Sequence, residues 1–179
     1  MILALYEHPH GVQTAGGNVA VYDVDDNTAS FGAASVPGRA LVWRLEDEAE
    51  PGAKLAAPVA LEAGLEWLLR CDRVDFPPGG VAYRHTHPGP GIRCLLLGSI
   101  RIDSGGESQR YHPLDAWFES GPEPVLAVAA EDAETAFVRV MLLPREWEGR
   151  RTIRYVDPAD EAKPRLQRAT VFFDEPIEL

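Results

Sequence analysis

Short runs in which apolar and polar residues alternate recur along most of the chain, and Gly, Pro, Asp and Asn separate them. An alternation with a period of two is typical of β-strands that bury one face. Many short strands at this spacing, with turn residues between them, indicate an all-β sandwich or barrel. The runs cover residues 18–24, 40–45, 65–76, 81–87, 92–102, 108–112, 115–119, 124–130, 135–143, 152–156 and 169–175.

Two segments break this pattern. Residues 46–64 are acidic and rich in Ala and Pro, which predicts a long loop or a loop with one helical turn. Residues 157–167 begin with Asp157 and Pro158, an N-cap residue followed by a proline suited to a first helical position. We expect a short helix there and little helix elsewhere.

Composition narrows the class of protein and its partners. The 179 residues are 45% hydrophobic and 25% charged, which suits one soluble globular domain. The net charge of −11 disfavours binding to nucleic acid or to an anionic membrane. The chain has no signal-peptide pattern and no apolar stretch of about 20 residues, so we expect a cytoplasmic protein. Cys71 and Cys94 are too isolated for a disulfide framework and are expected to be buried free thiols.

Two histidines stand out in the stretch "GGVAYRHTHPGPGIRCLLLGSIRI", residues 79–102. His85 and His87 are two positions apart, and side chains at i and i+2 point to the same side of a strand. Both imidazoles should therefore face one place. Neutral imidazole is a good ligand for divalent transition metals, which makes a metal site one candidate.

The residues around these histidines resemble the first motif of the cupin family. Gly80 precedes the His-x-His pair, and Gly98 closes the motif ahead of the next strand. At the position where the family carries a glutamate, this chain has Gly91.

The second cupin motif is similar to residues 112–132, "HPLDAWFESGPEPVLAVAAED", with a turn, a short strand and a proline-rich bend. Val125 occupies the position of the family's third histidine. The resemblance, over residues 72–144, implies an RmlC-like double-stranded β-helix, or jelly-roll barrel, with extra N- and C-terminal strands. It implies a single domain over residues 1–179: a barrel core at about 66–144, N-terminal strands and a loop at 1–65, and a C-terminal extension at 145–179.

The resemblance also implies a metal, because cupins with a metal hold iron, manganese, nickel or zinc through three histidines and a glutamate. His85 and His87 are the candidate ligands here, with Glu119 as a possible third if it faces inward. Arg93 shares strand parity with position 91, so its guanidinium should lie inside the barrel or at its mouth. A fixed cation there disfavours a divalent ion and favours a carboxylate ligand, which arginine can bind through two hydrogen bonds.

Four residues are candidates for contact with a small-molecule ligand: Arg93, Tyr83, Trp117 and Glu119. Tyr83 shares strand parity with the two histidines, and Trp117 shares it with Glu119. Aromatic side chains at such positions serve equally as core packing. The other histidines, His8, His10 and His112, are expected at the surface.

Two main functions remain open on this basis, and fold alone does not separate them. The first is a small-molecule-binding protein whose ligand is a small anion of the carboxylate type, with no cofactor. The second is a metal-dependent enzyme of the dioxygenase or isomerase type that uses His85 and His87 as ligands for iron, manganese, zinc or nickel. A barrel with only a scaffolding role is a third possibility. We expect a homodimer, because pairing covers exposed edge strands.

Overall fold

The structure is a computed structural model that describes residues 1–179. It contains fifteen strands and two short 3-10 helices, Arg145–Trp147 and Pro158–Ala162. The strands are β1 (Ile2–His8), β2 (Val12–Asp23), β3 (Thr28–Val36), β4 (Ala40–Glu46), β5 (Leu55–Pro58), β6 (Trp67–Phe76), β7 (Val81–Thr86), β8 (Gly91–Leu97), β9 (Ile100–Ser104), β10 (Glu107–Tyr111), β11 (Ala116–Glu119), β12 (Val125–Ala129), β13 (Thr135–Pro144), β14 (Arg154–Tyr155) and β15 (Arg168–Ile177).

The eight consecutive strands β6 to β13 form a jelly-roll barrel. One sheet, called barrel sheet 1, has the order β11-β8-β13-β6-β15, and the facing sheet, barrel sheet 2, has the order β10-β9-β12-β7-β14. Without the outer strands β15 and β14, these orders are the two interlocked Greek keys of a jelly roll. The predicted all-β jelly roll with extra terminal strands and little helix is therefore confirmed.

Alternation along the barrel strands sorts their side chains into two layers. Inward residues of both sheets pack around Trp117 and Phe137, whose ring centroids are 5.3 Å apart. These residues form an interior cluster of Val74, Phe76, Ala82, Leu95, Ile100, Ile102, Trp117, Val125, Ala127, Ala129 and Phe137. The outward residues of β6, β8 and β13 belong to another layer.

That second layer lies between barrel sheet 1 and an N-terminal sheet of order β3-β2-β4-β1-β5. Trp43 of β4 is fully buried at this contact, and its Nε1–H donates a hydrogen bond to the carbonyl oxygen of Ile92 at 3.2 Å. Cys71 and Cys94 lie in the same layer as buried free thiols, as the sequence predicts. Barrel sheet 1 is therefore buried on both of its faces.

The two segments without strand pattern differ in outcome. Residues 46–64 include the strand Leu55–Pro58, which pairs with β1 and buries Ala57, so the expectation of a loop or helical turn is wrong there. The expected short helix exists as Pro158–Ala162, and the Asp157 carboxylate accepts a hydrogen bond from the Ala159 N–H at 2.9 Å. Neither 3-10 helix has the length or hydropathy needed to cross a bilayer.

The contact between the N-terminal sheet and the barrel generates a first prediction. Trp43→Ala should lower the free energy of unfolding by about 3–5 kcal/mol, because it leaves a cavity and removes the partner of a buried carbonyl. Urea denaturation followed by circular dichroism measures this cost. A single transition shifted to lower urea is expected, whereas an unchanged main transition would show that the barrel does not depend on this sheet.

Candidate functional site

The two histidines face the barrel interior because β7 contains a β-bulge. Val125 of β12 pairs with His85, and Ala127 of β12 pairs with Ala82. Between these two pairs β7 therefore has one more residue than β12. The extra residue breaks the simple alternation, and Ala82 and His85 both line the cavity. Tyr83 does not line it, and the Lys163 ammonium lies 4.2 Å from the centroid of its ring. Strand parity alone predicted Tyr83 beside the histidines, and the bulge is the reason that it lies elsewhere.

The barrel interior holds a cavity of about 360 Å³. Its walls combine the apolar interior cluster with a group of charged and polar side chains. The charged, imidazole and other polar side chains that line it are Arg70, Asp72, His85, His87, Glu119, Arg139, Arg150, Arg151, Thr152, Arg165 and Gln167. Of the predicted ligand contacts, Trp117 and Glu119 line this cavity, while Arg93 lies behind it.

The segment after β13 closes the mouth of the cavity, and Arg70 holds that segment in place. Its guanidinium donates to the carbonyl oxygens of Arg150 at 2.7 Å and Trp147 at 3.0 Å, and it forms an ion pair with Asp174 of β15. The Gly149 N–H donates to the same Asp174 carboxylate at 2.9 Å. One buried arginine therefore fixes both sides of the opening.

Buried charges form a row across barrel sheet 1. In the strand register Asp72 lies opposite Arg139, and Arg139 lies opposite Arg93. The Arg139 Nε–H donates to Asp72 Oδ1 at 2.6 Å and its Nη2–H donates to Oδ2 at 3.1 Å. The ion pair is therefore bidentate. Both side chains are almost fully buried, so it has little access to solvent.

Arg93 points inward, and its partner is Glu119. The Arg93 Nη2 and Glu119 Oε2 atoms are 2.7 Å apart in a buried ion pair, although they are not aligned as a hydrogen bond. The Arg93 Nη1–H donates to the Gly91 carbonyl oxygen at 2.6 Å, and the Trp117 indole N–H donates to Glu119 Oε1 at 2.8 Å. Burial lowers the pKa of Arg93 to about 10, and the Glu119 carboxylate opposes that shift. The guanidinium therefore remains charged at neutral pH.

The close packing at Gly91 leaves no room for a side chain at the position where the cupin motif has a glutamate. A Cβ atom on Gly91 would lie 2.4 Å from the Val140 carbonyl oxygen and 2.8 Å from Met141 Cγ. Glu119 lies directly opposite Gly91 in the register of β8 and β11. The carboxylate of this site therefore comes from the neighbouring strand.

The hydrogen bonds of the histidines define their tautomers. His85 Nδ1 is 2.7 Å from the Tyr83 carbonyl oxygen, which can only accept, so the proton is on Nδ1 and the Nε2 lone pair is free. His87 Nε2 is 3.4 Å from Arg139 Nη1, a group that can only donate, so Nε2 accepts. His87 Nδ1–H then donates to the Thr152 hydroxyl oxygen at 3.2 Å.

Both imidazoles are neutral near pH 7. Burial lowers the pKa of His85, and the Glu119 charge opposes part of that shift. Burial holds the pKa of His87 well below its ordinary value, and the positive charges of Arg139 and Arg93 lower it further. The rings meet edge to face, with centroids 4.9 Å apart.

The donor set does not fit a resident divalent ion. The structure does bring His85, His87 and Glu119 together, with His87 Nε2 3.8 Å from Glu119 Oε2. However, the Glu119 carboxylate already binds Arg93 and Trp117, and the His87 lone pair already accepts from Arg139. No group of three or more His, Cys, Asp or Glu side chains has the arrangement of a metal site. Two unit charges about 4 Å apart repel by roughly 4 kcal/mol at an effective dielectric constant of about 20, and a divalent ion beside Arg139 would double that.

Asp72 and Arg139 were not anticipated from the sequence. Arg139 is the single charged residue of a strand that is otherwise almost entirely apolar, and Asp72 is, with Arg70, one of two buried charged residues on the inward side of β6. Charged residues at such positions are the signal that could have revealed them. Their pairing joins positions 67 residues apart and depends on the register of β6 and β13. His8, His10 and His112 do not line the cavity.

The Arg93–Glu119 pair generates a second prediction. Arg93→Met should lower the free energy of unfolding by about 3–5 kcal/mol, because it leaves the buried Glu119 carboxylate without its cation. The double variant Arg93→Met/Glu119→Gln should recover most of this loss, since no unpaired charge remains. Urea denaturation of the two single variants and the double variant gives the coupling, and equal costs for Arg93→Met and the double variant would contradict it.

The neutral histidines generate a third prediction, a loss of stability in mild acid. Below pH 6.5 the histidines of the unfolded chain bind protons, while the lowered pKa values of His85 and His87 keep them neutral in the folded protein. The free energy of unfolding should then fall by up to about 1.4 kcal/mol per pH unit for each buried histidine. Urea denaturation between pH 7 and pH 5 measures this slope. His87→Gln should make the slope shallower, and an unchanged slope would show that His87 does not contribute.

Comparison with known proteins finds similarity only to solved structures, and at low values. No family model matches the chain, and no curated protein matches it. An RmlC-like cupin from Shewanella frigidimarina is 17% identical, with 49% of this chain and 84% of that chain covered and a TM-score of 0.40. The polyketide cyclase RemF from Streptomyces resistomycificus is 21% identical, with 58% and 73% covered and a TM-score of 0.41.

A mutant of salicylate 1,2-dioxygenase from Pseudoaminobacter salicylatoxidans, in complex with gentisate, is 10% identical over 95% of this chain and 68% of that chain, with a TM-score of 0.42. At these values the likeness concerns the fold alone. The evidence for the fold is the strand order of the two barrel sheets. On that topology, the chain has the cupin fold.

Proposed function

We propose that the barrel binds a small organic acid. The observation that carries this proposal is the charge around the cavity. Five arginines and two carboxylates line it, in a chain whose net charge is −11. A cluster of cations on an acidic protein attracts anions to that location.

The excess positive charge is concentrated at the mouth of the cavity. Both carboxylates inside, Asp72 and Glu119, are already paired with buried guanidinium groups. At the mouth, Arg151 and Arg165 share the single carboxylate of Glu161. Arg150 has no carboxylate within ion-pair distance, so the mouth retains uncompensated positive charge that an acid group of a ligand would neutralise.

The inner part of the cavity supports a ligand with an apolar body. Trp117, Phe137 and Ile102 contribute aromatic and aliphatic wall, and a volume of about 360 Å³ is within the range of small-molecule sites. Among these walls, His85 Nε2 has a free lone pair, and Glu119 Oε2 has an ion-pair contact with Arg93 but no aligned hydrogen bond, so both can accept a hydrogen bond. We infer that the ligand carries a hydroxyl or amino group that donates to them, besides its acid group.

The alternative of a metal-dependent dioxygenase or isomerase requires His85, His87 and a third donor to be free for an ion. The engagement of His87 by Arg139 and of Glu119 by Arg93 argues against that arrangement. Binding of an organic acid leaves these contacts of His87 and Glu119 in place, and we therefore prefer it.

A fourth prediction tests the proposed ligand class. Small hydroxy acids should raise the melting temperature in proportion to the logarithm of their concentration, because a ligand that binds only the folded state stabilises it by about 2.7 kcal/mol at 100 times its Kd. Differential scanning fluorimetry with a panel of aliphatic and aromatic hydroxy acids, beside the matching neutral amides, measures the shift. The acids should give the larger shift.

The matched variants compare arginines inside and outside the site. Arg150→Gln/Arg151→Gln should weaken binding, whereas Arg110→Gln, which removes an exposed arginine outside the cavity, should leave it unchanged. Equal shifts for acids and amides, or an equal loss with Arg110→Gln, would refute a specific anion site.

A further inference from the structure

We propose that the guanidinium of Arg139 is the built-in cation of this site and stands where a divalent metal ion would otherwise bind. This inference concerns the protein's own residues and does not depend on which organic acid is bound. It accounts for a barrel that has two adjacent histidines and two carboxylates around one space and still offers no metal site.

First, the Arg139 side chain contacts three atoms that could otherwise bind a metal ion. Its Nε–H and Nη2–H bind both oxygens of Asp72, and its Nη1 lies 3.4 Å from His87 Nε2. Carboxylate oxygens and imidazole nitrogens are the ligand types that iron, zinc and related ions use. One guanidinium therefore occupies three donor atoms that a metal ion would need.

The second step is charge balance. The two buried carboxylates, Asp72 and Glu119, face two buried guanidiniums, Arg139 and Arg93, at ion-pair distance. The site is therefore neutral before any ion enters. A divalent cation would add a charge that no further carboxylate compensates.

The third step is that Arg139 is not free to move aside. It lies on β13, the central strand of barrel sheet 1, between β6 and β8. Its backbone is paired with Asp72 on one side and Arg93 on the other, and its side chain is almost fully buried. Displacing it would leave the Asp72 carboxylate unpaired in the interior.

Removal of this cation should expose a latent metal site. Asp72, His85 and His87 do not have the arrangement of a metal site while Arg139 is bonded to Asp72 and His87. Without Arg139, the Asp72 carboxylate and the His87 imidazole are free to turn toward an ion shared with His85. That combination is a recognised ligand set for divalent transition metals. The native protein, in contrast, should keep its site intact in the presence of chelators.

The experiment compares Arg139→Gln with the matched variant Arg139→Lys. The glutamine retains a hydrogen-bond donor for Asp72 but has no charge, whereas the lysine retains the charge. Titration with Co²⁺ alone, followed by visible absorption and isothermal calorimetry, measures the affinity. We expect Arg139→Gln to bind one Co²⁺ on the order of 100-fold more tightly than the wild-type protein and Arg139→Lys, because the repulsion is gone.

Three results would overturn the proposal: wild-type protein that holds stoichiometric metal lost in His87→Ala, folded Arg139→Gln that binds Co²⁺ no better than wild type, or Arg139→Lys that binds as tightly as Arg139→Gln. If Arg139→Gln folds only with Co²⁺ present, coupling of metal binding to folding supports the proposal. If it does not fold at all, Asp72→Asn/Arg139→Gln removes the unpaired carboxylate. The amide oxygen at position 72 is a weaker ligand than the carboxylate, but the lone pair of His87 Nε2 no longer accepts from Arg139. That double variant should therefore bind Co²⁺ more tightly than wild type and less tightly than a folded Arg139→Gln would, and affinity equal to wild type would overturn the proposal.

Discussion

The paired burial of Asp72 with Arg139 and of Arg93 with Glu119 is the interaction on which the site depends. Four ionised groups share the interior of one barrel, and each is tolerated because an opposite charge lies within hydrogen-bonding or ion-pair distance. Removal of any one member would leave a buried charge without compensation, which costs far more than a surface ion pair contributes. Burial is the main cause of the low pKa of His87, and the positive charges of Arg139 and Arg93 lower it further.

The arrangement of three sheets makes these ion pairs possible. The N-terminal sheet covers the outer face of barrel sheet 1, and the Trp43 indole hydrogen-bonds across that contact. Because one face of β13 packs in this apolar layer, the arginine on its other face is held in a single position. The segment beyond β13 contributes the mouth of the cavity, and Arg70 links that segment to β6 and β15. The apolar layer, the segment at the cavity mouth and the buried ion pairs therefore all depend on the strands of barrel sheet 1.

The sequence allowed the fold to be predicted more completely than the site. Period-two alternation and the turn residues indicated an all-β sandwich or barrel, and the resemblance to the cupin motifs implied the jelly roll. The spacing of His85 and His87 predicted that both rings face one place, and both line the cavity. Tyr83 was misplaced because a bulge changes strand parity, and no residue pattern marks where the bulge occurs. Asp72 and Arg139 required the register of strands far apart in the chain, which pairing in three dimensions determines. β5 was missed because its four residues, Leu55–Pro58, lie in an Ala- and Pro-rich segment and show no clear alternation.

Gly91 constrains how new chemistry could arise at this cavity. The backbone of β13 approaches β8 so closely at this point that a side chain on residue 91 would collide with the Val140 carbonyl oxygen. A glutamate at position 91 would therefore require the two central strands to separate. New chemistry at this cavity is more accessible through the arginines at its mouth, which lie outside the buried ion pairs, than through a carboxylate on residue 91.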